Sequence, residues 1–139
     1  ERAYYRLDGT EANVTEVKQN ERFVVVLKVR KHNDWPQRVL VTDLLPGGFE
    51  IDNPSLVSSA QLSSFPWLAQ TSAAHLEFRD DRFVAAFNPD TDRREMTLAY
   101  VVRAVTPGVY VHPPASVEDM YRPHYSARTA TGMMEVKAP

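Results

Sequence analysis

The sequence contains no cysteine. That excludes disulfide bonds, thiolate nucleophiles and cysteine-type metal sites together. It assigns no compartment, because a chain of 139 residues can bury a core without disulfides. Glycine is scarce, and its 5 residues form no Gly-x-Gly-x-x-Gly pattern, so nucleotide binding is unsupported. There is no excess of basic charge: 16 Lys and Arg stand against 18 Asp and Glu, for a net charge of −2. A nucleic-acid partner is therefore not expected, since such binders carry a basic face. No apolar run approaches the roughly 20 residues of a membrane-spanning helix, and no direct membrane contact is expected. The chain begins at Glu1 without a methionine or a signal-like stretch, which is expected of an excised fragment.

Catalytic patterns are equally thin. The four histidines, His32, His75, His112 and His124, are far apart and lack metal-ligand spacing. No metal or cofactor is expected. The acidic pairs Asp80-Asp81 and Asp90/Asp92 fall in predicted turns, where Asp bonds its own backbone. No Gly-x-Ser-x-Gly elbow supports a triad. An enzyme is not expected.

What is present is β patterning. Phe23, Val25, Leu27 and Val29 are apolar on one parity, with Arg22, Lys28 and Arg30 on the other. This is the period of a half-buried strand. Met96, Leu98, Tyr100 and Val102 repeat it, with Glu95, Thr97 and Arg103 opposite. Tyr100 is read as a core residue with its hydroxyl at the rim. Leu76 and Phe78, then Phe83, Ala85 and Phe87, flank a turn at Asp80-Asp81 and predict a hairpin. Strands are also predicted over 39–45, ended by Pro46-Gly47-Gly48, and near both ends, over 4–7 and 133–136. Asn53 and Pro54 are a helix cap and first position, so one short helix is predicted over 54–62. The composite is an all-β, antiparallel β-sandwich with one short crossover helix, in a single domain.

The stretch 109–131 resists a plain strand reading. Pro113 and Pro114 break one β-like run and Pro123 closes the next. Between them stand Met120 and Tyr121, flanked by Glu118, Asp119 and Arg122. In a regular strand one of Met120 and Tyr121 would face the core and the other solvent. Between proline breaks both can instead be presented outward on a loop.

The phrase Pro114-Ala115-Ser116-Val117-Glu118-Asp119-Met120-Tyr121-Arg122-Pro123 resembles the closing part of bacterial alpha-2-macroglobulins. Three upstream stretches agree in order: Asp43-Leu44-Leu45-Pro46-Gly47-Gly48-Phe49-Glu50, then Arg79-Asp80-Asp81-Arg82-Phe83-Val84, then Tyr100-Val101-Val102-Arg103-Ala104-Val105-Thr106-Pro107-Gly108. The resemblance implies a single C-terminal macroglobulin-like domain over 1–139, cut from a much longer protease-trapping protein. It implies a periplasmic setting, with the whole protein anchored to the inner membrane as a lipoprotein. The implied partner is the thioester domain of the same polypeptide, with target proteases engaged by the full-length protein. Met120 and Tyr121 would shield the thioester from water, with Glu118, Asp119 and Arg122 as interface support. Vertebrate relatives bind a clearance receptor through lysines on the crossover helix. Residues 54–62 contain no Lys or Arg, so that role is not implied here. The competing expectation is a free-standing adhesion or ligand-binding module using the aromatic loops at Trp35 and Trp67.

Overall fold

A computed structural model describes residues 1–30, 38–53, 63–68, 75–87, 95–121 and 126–139. The helix expected over 54–62 lies outside them, as do Trp35, His32, His124, Asp90, Asp92 and Arg122. Within them are twelve strands: β1 (Arg2–Arg6), β2 (Glu16–Lys18), β3 (Arg22–Arg30), β4 (Val39–Leu44), β5 (Phe49–Asn53), β6 (His75–Arg79), β7 (Arg82–Phe87), β8 (Glu95–Ala104), β9 (Gly108–His112), β10 (Ala115–Asp119), β11 (Ser126–Arg128) and β12 (Gly132–Lys137). They form three sheets, ordered β1-β3-β8-β5, β11-β10-β4-β7-β6 and β2-β12-β9. The pairings are antiparallel except β12 with β2, which is parallel. The all-β sandwich read from the sequence is the architecture found.

The alternating positions meet where expected. Phe23, Val25, Leu27, Phe83, Phe87, Leu98 and Tyr100 share one buried cluster with residues from all three sheets. The predicted hairpin forms with Phe78 opposite Phe83. Leu76 and Phe78 nonetheless remain exposed, because β6 is the last strand of its sheet.

The alternation was an incomplete guide to β3 and β8. Val24, Val26, Ala99 and Val101, on the supposedly solvent-facing parity, form a second buried cluster with Phe65. Tyr5 and Leu68 pack against it. The segment around Phe65 lies over the outer face of the first sheet, so that sheet is buried on both sides. A sheet covered on both faces selects near-continuous apolar runs rather than alternation.

The core also contains a charge that the pattern does not announce. Asp43 on β4 is fully buried. Arg2 Nη1 donates to its Oδ1 at 2.6 Å and the Tyr100 hydroxyl donates to its Oδ2. Arg2 Nη2 donates to the Pro113 carbonyl at 2.9 Å. The Tyr100 hydroxyl is thus inside the sandwich, not at its rim. A phenol buried beside a carboxylate needs such a partner, and stacking on Phe83 at 4.3 Å holds the ring in place. The contact joins the first sheet to the second.

The third sheet is tied in by Tyr4 and His112, whose hydroxyl and Nε2 lie 2.8 Å apart. Burial, and then the charge of Arg2, push the His112 pKa down to about 4. An unfolded histidine titrates near 6.5. The folded state therefore binds this proton less well than the unfolded state. The resulting stability is complete above about pH 6.5 and is lost as pH falls toward about 4. An NMR titration of the His112 imidazole is expected to show it neutral at pH 5. Titration near the free value would show that the ring is open to solvent.

Candidate functional site

The geometry at Met120 and Tyr121 begins with β10. Ala115 and Asp119 face inward on one parity and are buried, while Glu118 on the other is exposed. The strand pairs with β4, with Asp119 opposite Val39. One residue later, the Met120 N–H donates to the Arg38 carbonyl at 2.8 Å. Strict alternation would next send Tyr121 inward. It does not, because Asp119 Oδ1 accepts the Tyr121 N–H at 2.9 Å. This is an Asx-turn, in which a short carboxylate replaces a backbone acceptor and bends the chain.

Both side chains consequently face out. Met120 is 45% exposed and Tyr121 78%. The regular-strand expectation, one of the pair inward and one outward, does not hold: alternation carries Met120 outward after the inward Asp119, and the Asx-turn then brings Tyr121 outward as well. Asp119 is only 3% exposed, so its carboxylate holds the turn rather than offering itself at the surface. Glu118 stands in solvent beside it, and Arg122 lies outside the described residues. The Asp-x-Tyr spacing was a readable Asx-turn signal that the β pattern obscured.

What this site can do is pack. A thioether and a phenol on a pinned turn cover area and exclude water. Among the described residues no group of three or more His, Asp or Glu is placed to hold a metal ion. A cleft of about 240 Å³ opens between β3 and the β10–β11 pair. Its floor includes Leu27, Val29, Val41, Ala115 and Val117, and neither Met120 nor Tyr121 lines it. Trp67 is half-exposed, but its ring lies 5.1 Å from that of Tyr5 and 5.8 Å from that of Phe65. Lys28 Nζ sits 5.3 Å from it. Trp67 is therefore engaged with its own domain rather than free as a ligand platform.

The glycines of the Leu-Pro-Gly-Gly stretch have a packing role. A Cβ on Gly48 would lie 2.4 Å from the Tyr110 ring and 2.8 Å from the Thr106 carbonyl. Only glycine lets Tyr110 close over that loop.

Comparison with known proteins places these motifs in a family. A family model described as the bacterial alpha-2-macroglobulin MG10 domain matches residues 1–124. Alpha-2-macroglobulin of Escherichia coli strain K12 is 37% identical over 148 residues, covering 100% of this chain and 9% of the relative. Alpha-2-macroglobulin of Xylella fastidiosa strain 9a5c is 41% identical over 130 residues, covering 88% and 8%. The chain thus spans less than a tenth of the length of these relatives. A crystal structure of trypsin-activated alpha-2-macroglobulin from Escherichia coli superposes with a TM-score of 0.84 at 34% identity, over 99% of this chain and 10% of that one. Salmonella alpha-2-macroglobulin reacted with methylamine superposes with a TM-score of 0.77 at 34% identity, over 100% and 9%.

Proposed function

This chain belongs to the bacterial alpha-2-macroglobulin MG10 domain family, and from that premise we propose that it is a non-catalytic packing domain of a periplasmic, lipid-anchored protease trap. Met120 and Tyr121 cover a thioester carried by another domain of the same polypeptide. The thioester must lie elsewhere, because this chain has no cysteine. The observation that carries the reading is the turn itself: two large side chains face outward, held by one hydrogen bond to a buried carboxylate and one backbone–backbone hydrogen bond.

The chemistry explains why such a cover is useful. An amine nitrogen attacks the thioester acyl carbon, an amide bond forms, and the thiolate leaves. Water in the amine's place wastes the group by hydrolysis. Apolar surface packed over the acyl carbon keeps water and stray amines away until the domains move. Protease cleavage elsewhere in the polypeptide then separates the domains, and a surface amine of the protease is captured. The trypsin-activated and methylamine-reacted relatives suggest the assay.

In the full-length polypeptide, Met120→Ala is expected to speed inactivation by methylamine on the order of tenfold, equivalent to roughly 1.4 kcal/mol of barrier. Tyr121→Ala should act in the same direction. Asp119→Ala should release the turn and raise amine reactivity, whereas Asp119→Asn keeps an Oδ1 acceptor and should restore much of the protection. An unchanged amine rate in Met120→Ala would end the shielding reading.

A further inference from the structure

Sheet edges are normally guarded, because unpaired N–H and C=O groups invite another strand. The edges described here follow that rule with one exception. β1 carries Arg2 and Arg6, and Tyr5 bridges to Glu11. β2 and β11 are three residues each and contain Glu16 and Lys18 or Arg128. β5 carries Glu50 and Asp52, both in ion pairs, and has a register irregularity. β6 carries His75, Glu77 and Arg79. β9 is five residues, Gly-Val-Tyr-Val-His, paired among the described residues only with β12 and without an Asp, Glu, Lys or Arg.

Its outward side chains are apolar as well. Val109 is 65% exposed and Val111 54%. Met133, 57% exposed, stands opposite Val111 on β12. Along β12 the same face becomes charged, first at Glu135, opposite Val109, and then at Lys137, whose Nζ lies 2.9 Å from Glu16. An apolar centre against a charged rim is the anatomy of an interface. Met120 and Tyr121 follow β10 in a different sheet, so this is a separate surface.

We propose that β9 is a docking edge, to which an extended segment of the same polypeptide, from outside this chain, adds as a further strand with apolar side chains over Val109, Val111 and Met133. The inference rests on the reading that this chain is one domain of a longer polypeptide. One observation and one physical argument favour a segment in cis over a second copy. The chain spans only 9% of the Escherichia coli relative, so most of such a polypeptide is available to supply the strand. A tethered segment also has a high effective concentration that a free copy lacks. Strand addition supplies main-chain hydrogen bonds, and alternate side chains supply fit.

The test is hydrogen exchange read by mass in the full-length polypeptide. The β9 amides that face away from β12 are expected to be protected. Val111→Lys, which places a charge in the apolar contact, should speed exchange over 108–112 by roughly tenfold while β3 and β8 are unchanged. Fast exchange at those amides in the unmodified polypeptide would overturn the proposal. Protection that vanishes on dilution would overturn it too, because it would assign the edge to a second copy. Shielding by Met120 is read separately from the methylamine rate, so either reading can fail without the other.

Discussion

Replacing Asp43 with Ala is expected to lower the stability of this domain by about 3–5 kcal/mol. The magnitude follows from what would remain. Arg2 is 5% exposed at its side chain and Asp43 fully buried. Removing the carboxylate leaves a guanidinium in the core with only the Pro113 carbonyl as an identified acceptor. It also strands the Tyr100 hydroxyl, which has no exposure to water. Burial is the largest influence on the Asp43 carboxyl and pushes its pKa up, while Arg2 and the Tyr100 O–H pull it down. The desolvation cost is thus only partly offset. A double replacement of Arg2 and Asp43 by Leu should therefore cost less than Asp43→Ala alone. Urea unfolding of the single and double variants makes the comparison. A loss below about 1 kcal/mol for Asp43→Ala would place the pair among exposed ion pairs, which contribute little.

Leu98→Ala is expected to cost about 2–5 kcal/mol, and Leu27→Ala a similar amount. The two leucines are 5% and 3% exposed, face each other across β3 and β8, and belong to the same cluster. Each truncation removes buried carbon and leaves a space that the stacked sheets cannot readily close. Leu76→Ala is the control. Leu76 is 40% exposed on the edge strand β6, so its loss should stay under about 1 kcal/mol. Losses below about 0.5 kcal/mol at both core positions would show that β3 and β8 do not pack as described.

How much of this was readable in advance differs from element to element. The β6–β7 hairpin was legible because its signals are local: alternating apolar residues on either side of Asp80-Asp81. β3 was legible as a strand, but its burial was not. Val24 and Val26 share the parity of Arg22, Lys28 and Arg30, which was read as the polar side, and only Phe65, 41 and 39 residues later in the chain, turns that face into a second core. At the candidate site the residue types and the proline breaks marked 109–131 as unusual. They did not say whether one or both of Met120 and Tyr121 would face out. The answer depended on one hydrogen bond from the Tyr121 N–H to Asp119, which outranked the alternation.

By itself the sequence determined the class of fold, the positions of the strongly alternating strands, several breaks between them and the family, since each depends on near neighbours and on residue types in linear order; the short strands β2, β5 and β11 carry no such pattern. Tertiary structure alone decided the partners of the buried charge. Arg2 and Asp43 are separated by 41 positions, and Asp43 and Tyr100 by 57. No local pattern encodes such a meeting, because its free energy exists only once the sheets have stacked and water has left. The same holds for β9. Its apolar residues read as part of a β-like run broken by Pro113 and Pro114, and they became an unguarded edge only when the sheet order left them, among the described residues, without a second neighbouring strand.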